Sequence, residues 1–454
     1  MARSIITDGS CRKPKAVDFA ESEAYLLSLG NEVSAMKLGL ENIRALLAAV
    51  GSPQNSFLKV QVAGTNGKGS VCAFLDSIAR SSGIRTGLYT SPHLVSITER
   101  IKINGREISE DIFARYATRI RETAEILIAR GELQHRPTFF EQVTAISLIA
   151  FAEVNVELAI LETGLGGRLD ATTAAKAEIA AITAIDLDHQ EYLGNSLAEI
   201  AAEKAAIIHE GSKVVVAVQK EKAMRVILGE CHKFGVSPRL ASEVIVVSNG
   251  KNPTGEEDLT GLAITFETTN NRYDDVRLGL LGKHQIENAK VAILLAETLG
   301  EYLKISVDDI VGGLQSARHP GRLEFIDKFL FDGAHNVAGA IALVDYLDEY
   351  VDRPITMIFS SMKDKEIEKI ARLLFSKPET LILTRTDNSR ALTAAELVQW
   401  LPDDFDTNRV HLTETVDDAL ILAQRLANEA LILVTGSLYL VGEAQKILKS
   451  HSQI

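Results

Sequence analysis

Residues 57–70, FLKVQVAGTNGKGS, restrict the fold more than any other stretch of this chain. An apolar run that reads as a buried strand gives way to Gly64-Thr65-Asn66-Gly67-Lys68-Gly69-Ser70. Val71, Phe74, Leu75 and Ile78 follow at the i, i+3, i+4, i+7 spacing of one apolar helix face. A strand that feeds a helix through a glycine turn is a unit of a parallel α/β sheet. The turn is also a phosphate cradle, because small residues let successive N–H groups point inward and the helix N-terminus adds partial positive charge. In that cradle Lys68 supplies a full charge to β/γ-phosphates, and Ser70 a hydroxyl near a metal. The loop is a variant form: Val62 stands where the first glycine of G-x-x-x-x-G-K-[ST] belongs, and Gly69 follows Lys68 directly. The alternative is a glycine-rich turn with no ligand.

A chain of 454 residues is too long for one core and implies two or three domains. The net charge of −13 argues against nonspecific nucleic-acid binding, which needs a basic face, so an anionic substrate must meet local cations. Cys11, Cys72 and Cys231 show no C-x-x-C spacing, which points to neither disulfides nor zinc and fits a reducing cytoplasm. The first 30 residues carry charges throughout, unlike a signal peptide, and no run approaches the roughly 18 apolar residues of a membrane span. The expectation is a soluble cytoplasmic protein with no nucleic-acid or membrane partner.

Periodicity predicts helix over 19–50, a strand over 85–90, and a hairpin turning at Asn104-Gly105. Helices are expected over 110–130 and 140–153, leading into 157–162, a continuous apolar run as in a central parallel strand. Strands 178–185 and 213–218, helix 221–235, a loop or hairpin over 248–261, strand 262–268, and helices 284–299 and 306–317 follow. Arg318-His319-Pro320-Gly321-Arg322 cannot continue a helix and marks a hinge, dividing the chain into domains 1–318 and 319–454. Beyond it, strands 329–331, 355–359, 381–384, 410–412 and 430–434 alternate with helices 337–350, 367–375, 393–401, 416–427 and 438–449. That alternation predicts a parallel sheet covered on both faces.

Several residues could carry chemistry. Glu162 ends the 157–162 strand on the sheet edge where open α/β sheets bind ligands, and a carboxylate there can hold Mg²⁺, or merely solvate a strand end. Gly164, Gly166 and Gly167 permit close backbone approach, and His189 follows the next strand in the same way. Ser196 and Glu199 form a capping box, and Ile200, Ile207 and Ile208 place Lys204 on the apolar side of that helix. A buried lysine loses its proton and becomes a nucleophilic amine, which CO₂ could convert to a carbamate able to bind a second cation. A snorkelling lysine is the alternative. In Phe331-Asp332-Gly333-Ala334-His335-Asn336 the strand-then-glycine pattern repeats: Asp332 could meet a ribose or base, His335 a proton, and Arg322 at the hinge a phosphate. Helix capping alone is equally open for Asp332 and Asn336.

Together these residues resemble the folylpolyglutamate synthase and dihydrofolate synthase branch of the Mur ligases over nearly the whole chain. The resemblance is carried by Lys37-Leu38-Gly39-Leu40, residues 62–71, 91–94, Thr138-Phe139-Phe140-Glu141, 161–172 (LETGLGGRLDAT), Asp188-His189 and Glu203-Lys204-Ala205. Gly282-Lys283-His284-Gln285, Asn288-Ala289, 319–322, 332–336 and Gly436-Ser437-Leu438-Tyr439 continue it in the family's order.

The resemblance implies a two-domain α/β fold: an N-terminal parallel sheet of the phosphate-loop ATPase type and a smaller C-terminal Rossmann-like domain. It implies ATP held by Gly64, Thr65, Asn66, Gly67, Lys68, Gly69, Ser70, Asn288, Arg322 and Asp332, and two Mg²⁺ sites with Ser91, Glu162, His189 and a carbamate on Lys204 as ligands or supports. It implies a pterin site at Thr138, Phe139, Phe140, Glu141, Leu169, Asp170 and Ala171, and catalytic roles for Lys68, Lys204 and His335. The reaction implied is ATP-dependent addition of L-glutamate to dihydropteroate or a reduced folate, through an acyl phosphate, by a monomer. Thr173 and Ala206 depart from the family's asparagine and glycine, away from the phosphate and metal positions. Two alternatives stand: a Mur-type ligase acting on another carboxylate, against which the short stretch before residue 57 weighs, and an inactive ATP-binding homologue.

Overall fold

The computed structural model describes residues 18–30, 39–133, 135–248, 263–403 and 405–451. Eight strands, β1 (Leu58–Ala63), β2 (Thr86–Tyr89), β3 (Ile101–Ile103), β4 (Arg106–Glu107), β5 (Leu158–Glu162), β6 (Ile179–Ile182), β7 (Lys213–Val216) and β8 (Arg239–Leu240), form one sheet. Their order is β4-β3-β2-β5-β1-β6-β7-β8, parallel from β2 to β8. β1 and β5 lie at its centre and read as near-continuous apolar runs because both faces are covered. Val60, Val62 and Ile160 pack with Phe74, Leu75 and Ile78 on one face. Ala159 and Leu161 pack with Ile146, Ile149 and Phe151 on the other. The polar members of β1 are satisfied: Lys59 Nζ pairs with Glu178 at 3.0 Å, and Gln61 Nε2 donates to the hydroxyls of Thr172 and Thr173, each at 2.8 Å.

A small antiparallel sheet follows, β9 (Ile245–Ser248), β10 (Ile264–Glu267) and β11 (Arg272–Val276), in the order β11-β10-β9. The expected 248–261 connection lies, apart from Ser248, outside the described residues, as do Lys37 and Leu38. The third sheet contains β12 (Glu324–Ile326), β13 (Phe329–Asp332), β14 (Ile355–Phe359), β15 (Thr380–Leu383), β16 (Val410–Leu412) and β17 (Leu431–Thr435). Its order is β12-β13-β17-β14-β15-β16, with every pairing parallel except that of β12 with β13. Helices cover both faces, around cores centred on Met357 and Leu433 on one side and Ile358 and Val434 on the other.

Three expectations need correction. The 19–50 segment is not one helix: Phe19–Leu27 and Glu41–Ala49 are separate, and Gly30 between them has φ 96°, outside helical space. The 393–401 helix is Ala394–Leu397 followed by a tighter turn, Val398–Trp400. β8, β9, β11 and β12 were not foreseen, because two to five residues are too few for a period to declare itself.

The first core owes its tightness to one glycine. Gly313, in the Val307–Ser316 helix, meets the Lys68–Ser81 helix so closely that a Cβ would come 2.6 Å from the Ile78 nitrogen. Alanine improves helix propensity by about 1 kcal/mol over glycine, but overpacking against backbone that cannot yield costs about 1–3 kcal/mol. Gly313→Ala is therefore expected to lower the melting temperature, read by circular dichroism; an unchanged or raised value would show that the helices can separate freely.

Candidate active site

Because β1, β5 and β6 are parallel, their carboxyl ends open on one side, and the segments leaving them converge on a cavity of about 680 Å³. The loop after β1 forms its floor. Gly67 caps the Lys68–Ser81 helix at φ 88°, and a Cβ there would stand 3.1 Å from Asn288 Cγ, so both conformation and close approach require glycine. Asn288 Nδ2 donates to Gln285 Oε1 at 2.9 Å, Gln285 Nε2 to Ser70 Oγ at 3.2 Å, and Ser70 Oγ lies 3.5 Å from His319 Nδ1. This row fixes the first helical turn.

Two ammonium groups converge on one carbonyl. Lys68 Nζ donates to Gly64 O at 3.1 Å and to Thr65 O at 3.3 Å, while Lys204 Nζ donates to the same Gly64 O at 2.7 Å. Lys204 is buried in the Leu197–Ala205 helix, and burial together with the Lys68 charge pulls its pKa down to about 7. Asp188 and Asp170 oppose that shift without overcoming it. Glu162, also buried, ends β5 beneath the loop; its Oε2 accepts the Ser91 N–H at 3.1 Å. Burial pushes the Glu162 carboxyl up and Lys68 opposes that shift.

A third cluster crosses from one sheet to the other. Asp188 Oδ1 accepts from Lys365 Nζ at 3.0 Å, and Asn336 Nδ2 reaches both Asp188 Oδ2 at 3.3 Å and Asn66 Oδ1 at 3.0 Å. Burial pushes the Asp188 carboxyl up, but His189, Lys365 and His335 together hold it well below the usual carboxylate range. His189 and His335 are neutral at pH 7, burial having drawn both down to about 4, so at that pH the charge facing Asp188 is that of Lys365. His335 Nδ1 lies 2.8 Å from the Gly333 carbonyl, which makes Nδ1 the protonated nitrogen and leaves Nε2 as a free acceptor. Asp332 accepts N–H groups from Leu323 at 3.0 Å and Ala334 at 2.9 Å, tying the hinge to the end of β13.

The cavity gathers Gly64 through Ser70, Ser91, Thr138, Phe140, Glu141, Glu162, Leu169, Asp170, Ala171, His189, Lys204, Asn288, Arg322, Asp332 and His335. Phe139 does not line it: its ring is buried beneath the Arg100 guanidinium, 5.2 Å from the ring centre. Thr138 and Glu141 are joined in a capping box at the start of the Phe139–Glu153 helix. Asp170 spends its carboxylate on its own loop, accepting from the N–H groups of Gly164, Leu165 and Thr172. Thr173, one of the two departures, braces that loop as well, donating to Gly167 O at 2.7 Å.

The chain matches the Mur ligase middle domain over residues 62–296 and the Mur ligase glutamate ligase domain over 321–438. It is 34% identical to the dihydrofolate synthase/folylpolyglutamate synthase of Bacillus subtilis, over 91% of this chain and 96% of the relative. It belongs to the folylpolyglutamate synthase and dihydrofolate synthase family of Mur ligases. Among solved structures, the Mycobacterium tuberculosis folylpolyglutamate synthase complexed with ADP superposes with a TM-score of 0.86 at 31% identity, covering 94% of this chain and 98% of that one. A bifunctional folylpolyglutamate synthase/dihydrofolate synthase with Mn, AMPPNP and L-glutamate bound gives 0.81 at 26% identity, covering 96% and 99%.

For a Mur ligase, the residues that sequence reasoning left without a role are informative. Gln285, His319 and Asp188 lay within recognised segments, yet only the fold shows them bracing the phosphate loop and the cleft. Lys365 lay in none; between Asp364 and Glu366 it reads as a solvated charge, yet its side chain is only 9% exposed. Among the described residues no group of three or more His, Cys, Asp or Glu side chains could hold a metal alone. Glu162 with the hydroxyls of Ser70 and Ser91 lining the same cavity is instead a sparse, hard oxygen set. That suits Mg²⁺, which keeps waters and shares phosphate oxygens, and does not suit zinc.

Proposed function

We propose that this Mur ligase joins L-glutamate to the carboxylate of dihydropteroate or a reduced folate, using ATP and an acyl-phosphate intermediate. The observation that carries this reading is the shared cavity, where Lys68, Glu162, His189 and Lys204 from the first sheet face Arg322, Asp332 and His335 from the hinge and the third sheet. The relatives' names and their bound ADP, AMPPNP and glutamate support it.

Lys68 and the helix N-terminus hold the triphosphate, with Arg322 reaching over from the hinge. The pteroyl carboxylate attacks the γ-phosphorus, the bond to ADP breaks, and an acyl phosphate forms. His335 Nε2, the acceptor nitrogen of a ring that burial keeps neutral, orients the glutamate ammonium by accepting its N–H, and the proton that must leave before attack passes to solvent. The amine then attacks the acyl carbon, and the C–O bond to phosphate breaks as phosphate leaves. Bound at Glu162 with Ser91 and His189 in support, Mg²⁺ would neutralise the polyphosphate charge. With its pKa drawn down to about 7, Lys204 has a neutral fraction whose amine adds CO₂ and loses a proton, placing a carboxylate beside Lys68 for a second cation. Lys365 and Arg390, on the far wall, offer cations for the glutamate carboxylates.

The domains divide at 318/319, a division supported by the interval between the two family matches. Among the described residues no helix is long and apolar enough to cross a membrane, and Cys72 and Cys231 are free and buried. A monomer working in a reducing cytoplasm is part of the same proposal. Phosphate release by the purified protein tests the activity. It should require both glutamate and a pteroyl acid, with dihydropteroate and tetrahydrofolate competing as acceptors. Release with neither, or none with any pteroyl acid, would leave an ATP-binding homologue that has lost the ligase reaction.

A further inference from the structure

The loop after β2 belongs to both halves of the molecule. At its second residue the Ser91 N–H donates to Glu162 Oε2. Three residues later Leu94 has left the first core and packs against the C-terminal core that contains Phe331 and Val441. Its backbone lies on Gly442, inside the Leu438–His451 helix, where a Cβ would come 2.6 Å from the Leu94 carbonyl carbon. Glycine in a helix interior costs about 1 kcal/mol relative to alanine, so the helix itself gives no reason for it, whereas the close approach does. The segment is also stiff: the Glu99 carboxylate accepts the N–H groups of Leu94, Val95 and Ser96, each at 2.8 Å, and Arg100 Nε donates to His93 Nδ1 at 2.8 Å.

We propose that this loop is a lever: seating of the C-terminal domain on Leu94 sets Ser91 against Glu162, so that Gly442 and Leu94 are positioning residues for the cation site. The proposal rests on the reading of Ser91 and Glu162 as the groups that hold the cation. Only Pro92 and His93 stand between Leu94 and Ser91, and His93 is bonded to Arg100, so a displacement at Leu94 has a short path to Ser91. A methyl group at position 442 must push the Leu94 carbonyl away, and the Ser91–Glu162 hydrogen bond shifts with it.

The test is Mn²⁺ binding to the full chain in the presence of ADP, followed by electron paramagnetic resonance, for wild type, Gly442→Ala, Leu94→Ala and Glu162→Gln. Losing such an indirect support should weaken Mn²⁺ about tenfold in both Gly442→Ala and Leu94→Ala, with metal-free ADP affinity unchanged. Leu94→Ala leaves a hole in the C-terminal core, whereas Gly442→Ala adds a better helix former, so a shared loss of Mn²⁺ affinity is not a shared loss of stability. Unchanged Mn²⁺ affinity in Gly442→Ala, with binding lost in Glu162→Gln, overturns the lever and leaves the cation site standing. Wild-type binding in Glu162→Gln overturns the cation reading, and the lever with it.

Discussion

Lys68→Met is expected to lower kcat about 10³-fold, which is about 4 kcal/mol of transition-state stabilisation, while the protein stays folded. The reason lies in how the ammonium group is placed. Its partners without ligand are two carbonyls of its own loop, Gly64 and Thr65, and the first of these keeps its bond to Lys204 when Lys68 is gone. Removing one of two neighbouring cations also relieves their repulsion, so the melting temperature should hold or rise slightly. What is lost is a charge aimed at the site where the transferred phosphoryl group develops its own, held in place before the reaction as water would not be. The measurement is phosphate release at saturating glutamate and pteroyl acid, with ADP affinity by calorimetry. A kcat within tenfold of wild type would show that Lys68 does not face the reacting phosphate.

Lys204→Ala should cost turnover about 10²–10³-fold, the scale for removing one group that organises charge in an active site. Its effect on stability should run the other way. A buried ammonium beside another ammonium is expensive to hold, so Lys204→Met, which fills the same space without charge, should melt no lower than wild type. If the carbamate is what matters, acetate or propionate should partly restore Lys204→Ala, where there is room for a small acid, and should do nothing for Lys204→Met. Wild-type-like turnover in Lys204→Ala would remove the carbamate from the mechanism. A carbamate carbon signal from ¹³CO₂ in wild type, absent in both variants, would support it independently.

The glycine loop, the parallel strands that feed it and the alternation beyond the hinge were legible because each is a local pattern: an apolar run buried on both faces, a 3.6-residue period, a Pro-Gly break. The family segments were legible for a similar reason, since a phosphate cradle and a strand-end carboxylate need particular residues at particular spacings. Short edge strands such as β8 and β12 were not, because a few residues cannot show a period, and pairing with a neighbour is what makes them strands. Phe139 and Asp170 show the same limit within the site. Their segments line the cavity, but helix phase buries one ring, and three N–H groups of its own loop occupy the carboxylate of the other.

By itself the sequence determined that a strand, a glycine loop and a helix would follow one another and that a glutamate would end the neighbouring strand, since hydrophobic period and backbone sterics act within a few residues. Only the tertiary structure decided that Lys365 reaches Asp188, that His319 closes on Ser70, and that Leu94 leaves its own domain to rest on Gly442. Those contacts join residues up to several hundred positions apart, and side-chain identity carries no record of what another domain will bring against it.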